Sequence, residues 1–248
     1  MNFRDYFSGQ SDNYARYRPN YPAALFTYLM SLPPAHERAW DCGTGNGQAA
    51  LGLAPYFKQV IATDPSAKQI RNAMPHHKID YRVAAAEEAE IESRSVDFIT
   101  VAQALHWFYL DRFYAEVKRV LKPRGVLAVW CYGLFEISPA IDKVLKHYYT
   151  HIVGPYWPTA RKLVDEAYRT IPFPFAEISA PAFAMKAEWN LPDLIGYLGT
   201  WSAAQEFKKA QGVNPLSKIE HALINAWGAG DKKRTITWPI YLRIGRHA

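Results

Sequence analysis

The segment Trp40-Asp41-Cys42-Gly43-Thr44-Gly45-Asn46-Gly47-Gln48 carries the most specific chemical signal in the chain. It reads as the end of a buried strand, a turn with three alternating glycines, and a helix over about 48–57. Glycine has no Cβ, so it takes φ > 0 easily and lets a ligand lie against bare backbone. Three glycines in five residues, with an acid two positions before the first, describe a nucleotide-like ligand clamped over a strand end. A tight turn without a ligand is the plain alternative. Asp64 stands 21 residues after Gly43. An acid at that place can accept both hydroxyls of a ribose; it is also a residue that a helix N-terminus favours for its charge alone.

Those residues need a scaffold that brings strand ends together. Strands are expected at Arg38–Cys42, 60–64, 81–84, Val96–Ala102 and 126–130. Between them lie a helix opened by Pro65-Ser66 and one over about 110–121. In the latter, Phe113, Val117, Val120 and Leu121 recur at helical spacing on one face. Short apolar strands alternating with amphipathic helices argue for a parallel sheet buried on both faces. Ligands of such sheets bind beyond the carboxyl ends of the strands, near the point where the strand order reverses. Pro123-Arg124-Gly125 reads as a turn. Residues 134–175 look helical and aromatic, with segments over about 139–151 and 159–170. Further strands are plausible at 182–189 and 235–244.

The rival fingerprint for the glycine turn is G-x-G-x-x-G of dinucleotide-binding proteins. Its third glycine should stand where Gln48 is; Gly47 comes one residue early. The turn instead resembles the first motif of class I S-adenosylmethionine (SAM) dependent methyltransferases, Asp/Glu-x-Gly-x-Gly-x-Gly. Asp41 beside the loop would repel a pyrophosphate but suits the cationic end of SAM. Further segments resemble the type 11 branch, which includes trans-aconitate methyltransferase-like small-molecule enzymes. They are Ala86-Glu87, Ser95-Val96-Asp97, Gln103-Ala104-Leu105-His106-Trp107-Phe108, Arg119-Val120-Leu121-Lys122-Pro123 with Gly125, and Tyr197–Ala203. The N-terminal Tyr14, Arg18, Pro19, Tyr21 and Pro22 match as well. Arg124 replaces a glycine of the family pattern, in a turn far from the ligand.

The resemblance implies a Rossmann-like seven-stranded mixed α/β sheet flanked by helices, with its last strand antiparallel and a helical lid inserted. It implies a single methyltransferase domain over residues 1–248, in which 1–36 covers the cofactor and 134–175 with 190–230 forms an acceptor-side lid. The cofactor it implies is S-adenosyl-L-methionine. Its expected contacts are Tyr14, Arg18, Asp41, Gly43, Thr44, Gly45, Gly47, Asp64, Ala86, Glu87 and Gln103. Tyr14 and Arg18 would approach the methionine carboxylate, for which a guanidinium is well shaped. Asp97 reads as a structural acid. His106 falls beneath the expected methyl group, where a base, a substrate anchor or a locally bonded packing residue are its three readings. Trp107, Trp130 and Tyr132 are the expected acceptor walls, and Trp130 reads equally as core.

Composition bounds the partners. Hydrophobic content of 49% with 21% charged residues describes a folded soluble protein. No apolar run approaches the roughly 20 residues that span a bilayer. Two cysteines, Cys42 and Cys131, make no disulfide framework, and a reducing cytoplasm is expected. The net charge of +6 admits an anionic small molecule or nucleic acid. Two missing motifs argue against a nucleic-acid base: no Pro-Cys precedes the fifth strand's end, and no Asn/Asp-Pro-Pro-Tyr follows the fourth strand. A small-molecule acceptor is the first expectation. An RNA or protein methyltransferase and a non-catalytic SAM-binding protein are the alternatives.

Overall fold

Alternating apolar segments set up the sheet, and the computed structural model describes it over residues 19–247. The chain runs α1 (Ala23–Leu29), β1 (Arg38–Cys42), α2 (Gln48–Leu53), β2 (Gln59–Asp64), α3 (Ala67–Arg71), β3 (Ile79–Val83), β4 (Val96–Ala102), α4 (Leu110–Val120) and β5 (Leu121–Tyr132). It continues through α5 (Pro139–His147), α6 (Arg161–Asp165), β6 (Ala176–Ile178), β7 (Phe183–Trp189), α7 (Leu191–Gly199), α8 (Ser202–Gln211), α9 (Glu220–Trp227) and β8 (Arg234–Arg246). The strands hydrogen-bond in the order β3-β2-β1-β4-β5-β8-β6, and β7 pairs with β8. The first five are parallel, and β8 runs antiparallel to β5 and β6.

Two compact units emerge. One comprises Asn20–Gly133, Lys162–Ala184 and Pro239–Ala248; the other includes Leu134–Arg161 and Met185–Trp238. In the first, alternation along the strands sends Trp40, Ile99, Leu127, Val129 and Cys131 into a core with Phe113, Val117 and Val120 of α4. On the other face, Phe57 stacks on Phe98 with ring centroids 6.1 Å apart, and Phe26 of α1 fills the space beside Gly52 of α2. Both faces are therefore apolar, as a parallel sheet requires. Asp97, fully buried, accepts from the Glu37 and Arg38 N–H groups at 3.0 Å each and pairs with Lys122 at 2.8 Å. It ties the starts of three strands together.

Several expectations need correction. Among the described residues the sheet has eight strands, not seven. The three-residue β6 escaped notice because so short a strand has no readable period, while the strand expected at 182–189 pairs with β8 outside the main order. Pro123-Arg124-Gly125 is not a turn before β5 but a bulge inside it: the pairing with β4 jumps from Val96↔Leu121 to Phe98↔Val126. Arg124 takes φ 65 there, which explains why the family pattern has glycine. The expected helix over 159–170 shortens to α6, because Ala167 and Tyr168 both turn left-handed, at φ 56 and 58.

The second unit is built on aromatic contacts. Trp201 packs against Phe135, Tyr148, Tyr149, Trp157 and Tyr197, with centroids 5.6–6.4 Å away. Trp238 packs on Phe135, Trp189 and Tyr197. The Tyr148 hydroxyl and the Trp157 and Trp238 indole N–H groups are buried there without a hydrogen-bond partner among the described residues. Burial pushes the Tyr148 phenol well above its usual range. An unpaired buried hydroxyl costs about 1–3 kcal/mol. Tyr148→Phe is therefore expected to stabilise the protein, raising Tm by about 2–4 °C per kcal/mol in a chain of this size. A lowered Tm in thermal denaturation would contradict this.

Candidate active site

The strand order reverses between β1 and β4, which opens a crevice beyond their carboxyl ends. The glycine turn leaves β1 at that point. The Gly43 and Thr44 N–H groups both donate to the Thr63 carbonyl at 2.9 Å, and Trp40 Nε1 donates to Thr63 Oγ1 at 2.9 Å. Asp64 Oδ2 accepts from the Gly45 N–H and Oδ1 from the Ser66 N–H, each at 2.9 Å. One carboxylate thus joins the turn after β1 to the start of α3.

The three glycines serve different purposes. All have positive φ, at 70, 57 and 91° for Gly43, Gly45 and Gly47. A Cβ on Gly43 would strike Ala104 and Phe108, and one on Gly47 would strike Tyr81. These two let neighbouring elements close in. Among the described residues, a Cβ on Gly45 would meet nothing within 4 Å. At Gly45 the backbone is open, and this is the geometry expected of a main chain approached by a ligand.

Asp41 lies beneath the turn with no solvent exposure. Thr44 Oγ1 donates to its Oδ2 at 2.5 Å, and Thr100 Oγ1 donates to its Oδ1 at 2.8 Å. Thr100 sits opposite Asp41 in the β1–β4 register, which is why it reaches. Burial raises the Asp41 pKa from 3.8 to about 6; the two hydroxyls pull it down, and nearby Asp64 adds to the rise. Cys42 next to it is a buried free thiol whose pKa burial pushes well up, so it is not a nucleophile.

The other expected residues fall into distinct settings. Ala86 is buried, and Glu87 Oε1 accepts from the Tyr109 N–H at 2.7 Å, tying the loop after β3 to the entry of α4. Gln103 has φ 59, and its side-chain amide pairs at both ends with the Tyr132 backbone, at 3.1 and 2.8 Å. It extends the β4–β5 ladder by one rung. Trp107 is exposed, Tyr132 is buried, and Trp130 is sealed in the core with its ring edge on Tyr21 at 5.3 Å. His106 lies on a single helical turn, Leu105–Trp107. Its Nδ1 is 2.7 Å from Tyr168 Oη, and its ring leans on Trp107 at 4.7 Å. Tyr14 and Arg18 lie outside the described residues.

Sequence reasoning missed Thr100, Tyr81 and Tyr168. Thr100 becomes visible only once the β1–β4 register is known. Tyr168 lies 62 residues from His106 and belongs to no motif, so no signal in the sequence pointed to it.

The family model described as "Methyltransferase domain" matches residues 40–129. A provisionally named methyltransferase of Dictyostelium discoideum is 38% identical over 251 residues, 98% of this chain and 95% of its own. A provisionally named SAM-dependent methyltransferase of Saccharomyces cerevisiae is 33% identical over 132 residues, 50% of this chain and 45% of its own. The solved structure of a provisionally named type II methyltransferase from Anaeromyxobacter dehalogenans superposes with a TM-score of 0.87 at 45% identity. It covers 92% of this chain and 97% of its own.

Proposed function

The chain belongs to the SAM-dependent methyltransferases, in their type 11 branch, and from that premise we propose that it methylates a small-molecule acceptor. The observation that carries the reading is the open backbone at Gly45, joined by its N–H to Asp64. The donor set suits an adenosyl sulfonium. Asp64 ends β2 where it can accept ribose hydroxyls, and Ala86 and Glu87 follow β3 where adenine is expected. Asp41 supplies a buried negative charge and no cation is hydrogen-bonded to it among the described residues. Gly43, Thr44, Gly47 and Gln103 shape the turn. Tyr14 and Arg18 of the N-terminal segment, residues 1–36, remain the proposed contacts of the methionine carboxylate.

When bound, SAM supplies a methyl carbon already activated by positive sulfur. The chain's task is alignment, for which proximity is worth roughly 7–11 kcal/mol. His106 and Trp107 follow β4, and Tyr132 ends β5; these are the proposed acceptor contacts, while Trp130, sealed in the core, keeps its other expected role as packing. Residues 134–175 and 190–230 are the proposed source of acceptor selectivity. Their aromatic content favours a flat or apolar compound over a nucleic acid.

Asp64→Ala is expected to weaken SAM binding by about 1–3 kcal/mol, the cost of charge-assisted hydrogen bonds. Isothermal titration with SAM and S-adenosylhomocysteine measures it, beside a circular dichroism check of folding. Unchanged affinity in a folded variant would remove Asp64 from the site. Release of S-adenosylhomocysteine across a panel of small acceptors tests the transfer itself; tight SAM binding without turnover on any acceptor would favour a binding protein.

A further inference from the structure

We propose that a hollow at the amino ends of the strands is a second ligand site, which holds a small phosphomonoester by its phosphate. It is independent of the function proposed above. Arg38 opens β1, Gln59 opens β2, Lys122 stands near the start of β5, and Glu92, Arg94 and Ser95 lead into β4; all line the hollow. These strands are parallel, so the hollow lies at the end of the sheet opposite the glycine turn. Arg38 and Cys42, at the two ends of β1, are roughly 13 Å apart at the ~3.3 Å rise of a parallel strand. The hollow holds about 410 Å³. Small-molecule sites span roughly 300–1,000 Å³.

Its charges do not cancel. Arg38, Lys58, Arg94 and Lys122 line it together with two acids, Glu37 and Glu92. Lys58 pairs with Glu37 at 2.9 Å, and Lys122 with the buried Asp97 at 2.8 Å. Both guanidiniums and the Glu92 carboxylate are left without an ion-pair partner among the described residues. Two guanidiniums on one hollow suit an oxyanion, and a phosphomonoester offers three oxygens to their forks. Glu92 adds a selection: it can accept from hydroxyls on the carbon chain of the ester, and it repels a polyphosphate strand. An adjoining cavity of about 220 Å³ shares Arg38, Gln59 and Glu92 and adds Ile91, which leaves room for that chain.

The two arginines are held in place before any ligand arrives. The Arg38 N–H donates to Asp97 Oδ2 at 3.0 Å and its Nε to Gln59 Oε1 at 3.1 Å, so the fork of Nη1 and Nη2 is the part left over. Arg94 takes φ 52, which residues with side chains disfavour. Its loop is nonetheless fixed. The Arg94 and Ser95 N–H groups donate to the Arg119 and Val120 carbonyls at 2.9 Å each, and Ser95 Oγ donates to the Glu92 carbonyl at 2.7 Å. Backbone strain that the surroundings enforce concentrates at ligand clamps. Here it presents a guanidinium that makes no ion pair among the described residues.

Inorganic phosphate, glycerol 3-phosphate and acetate are titrated into the full-length protein at an ionic strength held constant with chloride, and binding is read by calorimetry and by the rise in Tm. The expected result is one saturable site per chain for both phosphates, with glycerol 3-phosphate the tighter and acetate at least about tenfold weaker. Arg38→Gln and Arg94→Gly should each weaken phosphate binding by about tenfold or more, the loss of a charge-assisted contact. Arg94→Gly also relieves the left-handed strain, so its ligand-free Tm should hold or rise while its phosphate affinity falls. Lys186→Gln, which removes an exposed charge on β7, should bind as the wild type does. No saturation by either phosphate below about 50 mM would overturn the proposal. So would wild-type affinity in both arginine variants, or an equal loss in Lys186→Gln, which would mean attraction by net charge alone. Glycerol 3-phosphate no tighter than inorganic phosphate, or acetate as tight as either, would overturn the phosphomonoester assignment. Tighter binding of a uridine decamer, falling steeply with salt, would make the hollow part of a nucleic-acid surface and overturn the small-molecule assignment.

Discussion

Gly45→Val is expected to abolish SAM binding while leaving the fold in place. Two effects act at this residue, and they are separable. The first is strain: Gly45 has φ 57, where a β-branched side chain is an outlier and an L residue costs about 1–2 kcal/mol. The second is occupancy: the new side chain projects into space where no atom of the described residues stands within 4 Å of its Cβ, so none of them is displaced. Gly45→Asn separates the two, because asparagine tolerates left-handed backbone. It should fold nearly as well as the wild type and still lose more than about 100-fold in affinity, beyond the ~1–2 kcal/mol that strain alone explains. Gly43→Ala and Gly47→Ala behave differently. Their methyl groups meet Ala104 and Tyr81, so stability and binding should fall together. Titration calorimetry beside thermal melts distinguishes the patterns. Full affinity in Gly45→Asn would show that no ligand approaches this backbone.

Asp41→Asn should stabilise the ligand-free protein at neutral pH and impair SAM binding. The carboxyl is fully buried, and its pKa is raised from 3.8 to about 6 by burial. A folded-state pKa above the unfolded value means that the native state holds the proton longer. Stability therefore falls as pH rises through roughly 4 to 6, and above that window the wild type has lost up to about 3 kcal/mol to this one group. Asparagine is uncharged throughout, and the Thr44 and Thr100 hydroxyls can turn to accept from its amide. Denaturant melts at pH 4 and pH 7 should show a drop in the wild type that the variant lacks. Binding should run the other way. A cationic ligand group offsets the buried charge, so wild-type SAM affinity should rise as pH climbs through 6, and the variant's affinity should be flat and about 10–100-fold weaker at pH 7. A variant less stable than wild type at pH 7 would contradict the account.

The parts of this fold legible in the sequence were those with a period or a turn chemistry. Strands β1, β2 and β4 and helix α4 emerged within a few residues of their observed bounds, because each is apolar, short and punctuated. The glycine turn was legible because its residue types are dictated by backbone conformation. What escaped depended on register or on strain. The bulge at Arg124 and the paired left-handed residues at 167 and 168 contradict local preference; Arg246 of β8 bonds the Arg124 carbonyl, and Arg243 of β8 bonds the Tyr168 and Ile171 carbonyls, contacts that no local pattern announces. Gln103 was expected at the cofactor because of its motif; that its amide bonds the Tyr132 backbone becomes evident only when β4 and β5 lie side by side.

The ring contacts of the second unit have an optical consequence. Trp189 and Trp238 lie 5.1 Å apart with planes at 76°, and Trp157 and Trp201 lie 5.6 Å apart at 48°. Indoles so close and so inclined share their excited states, giving paired circular-dichroism bands of opposite sign that vanish when the rings separate. Losing one member of either pair would erase its couplet. The melting of the aromatic contacts around Trp201 and Trp238 thus has its own spectral signature, distinct from that of the backbone.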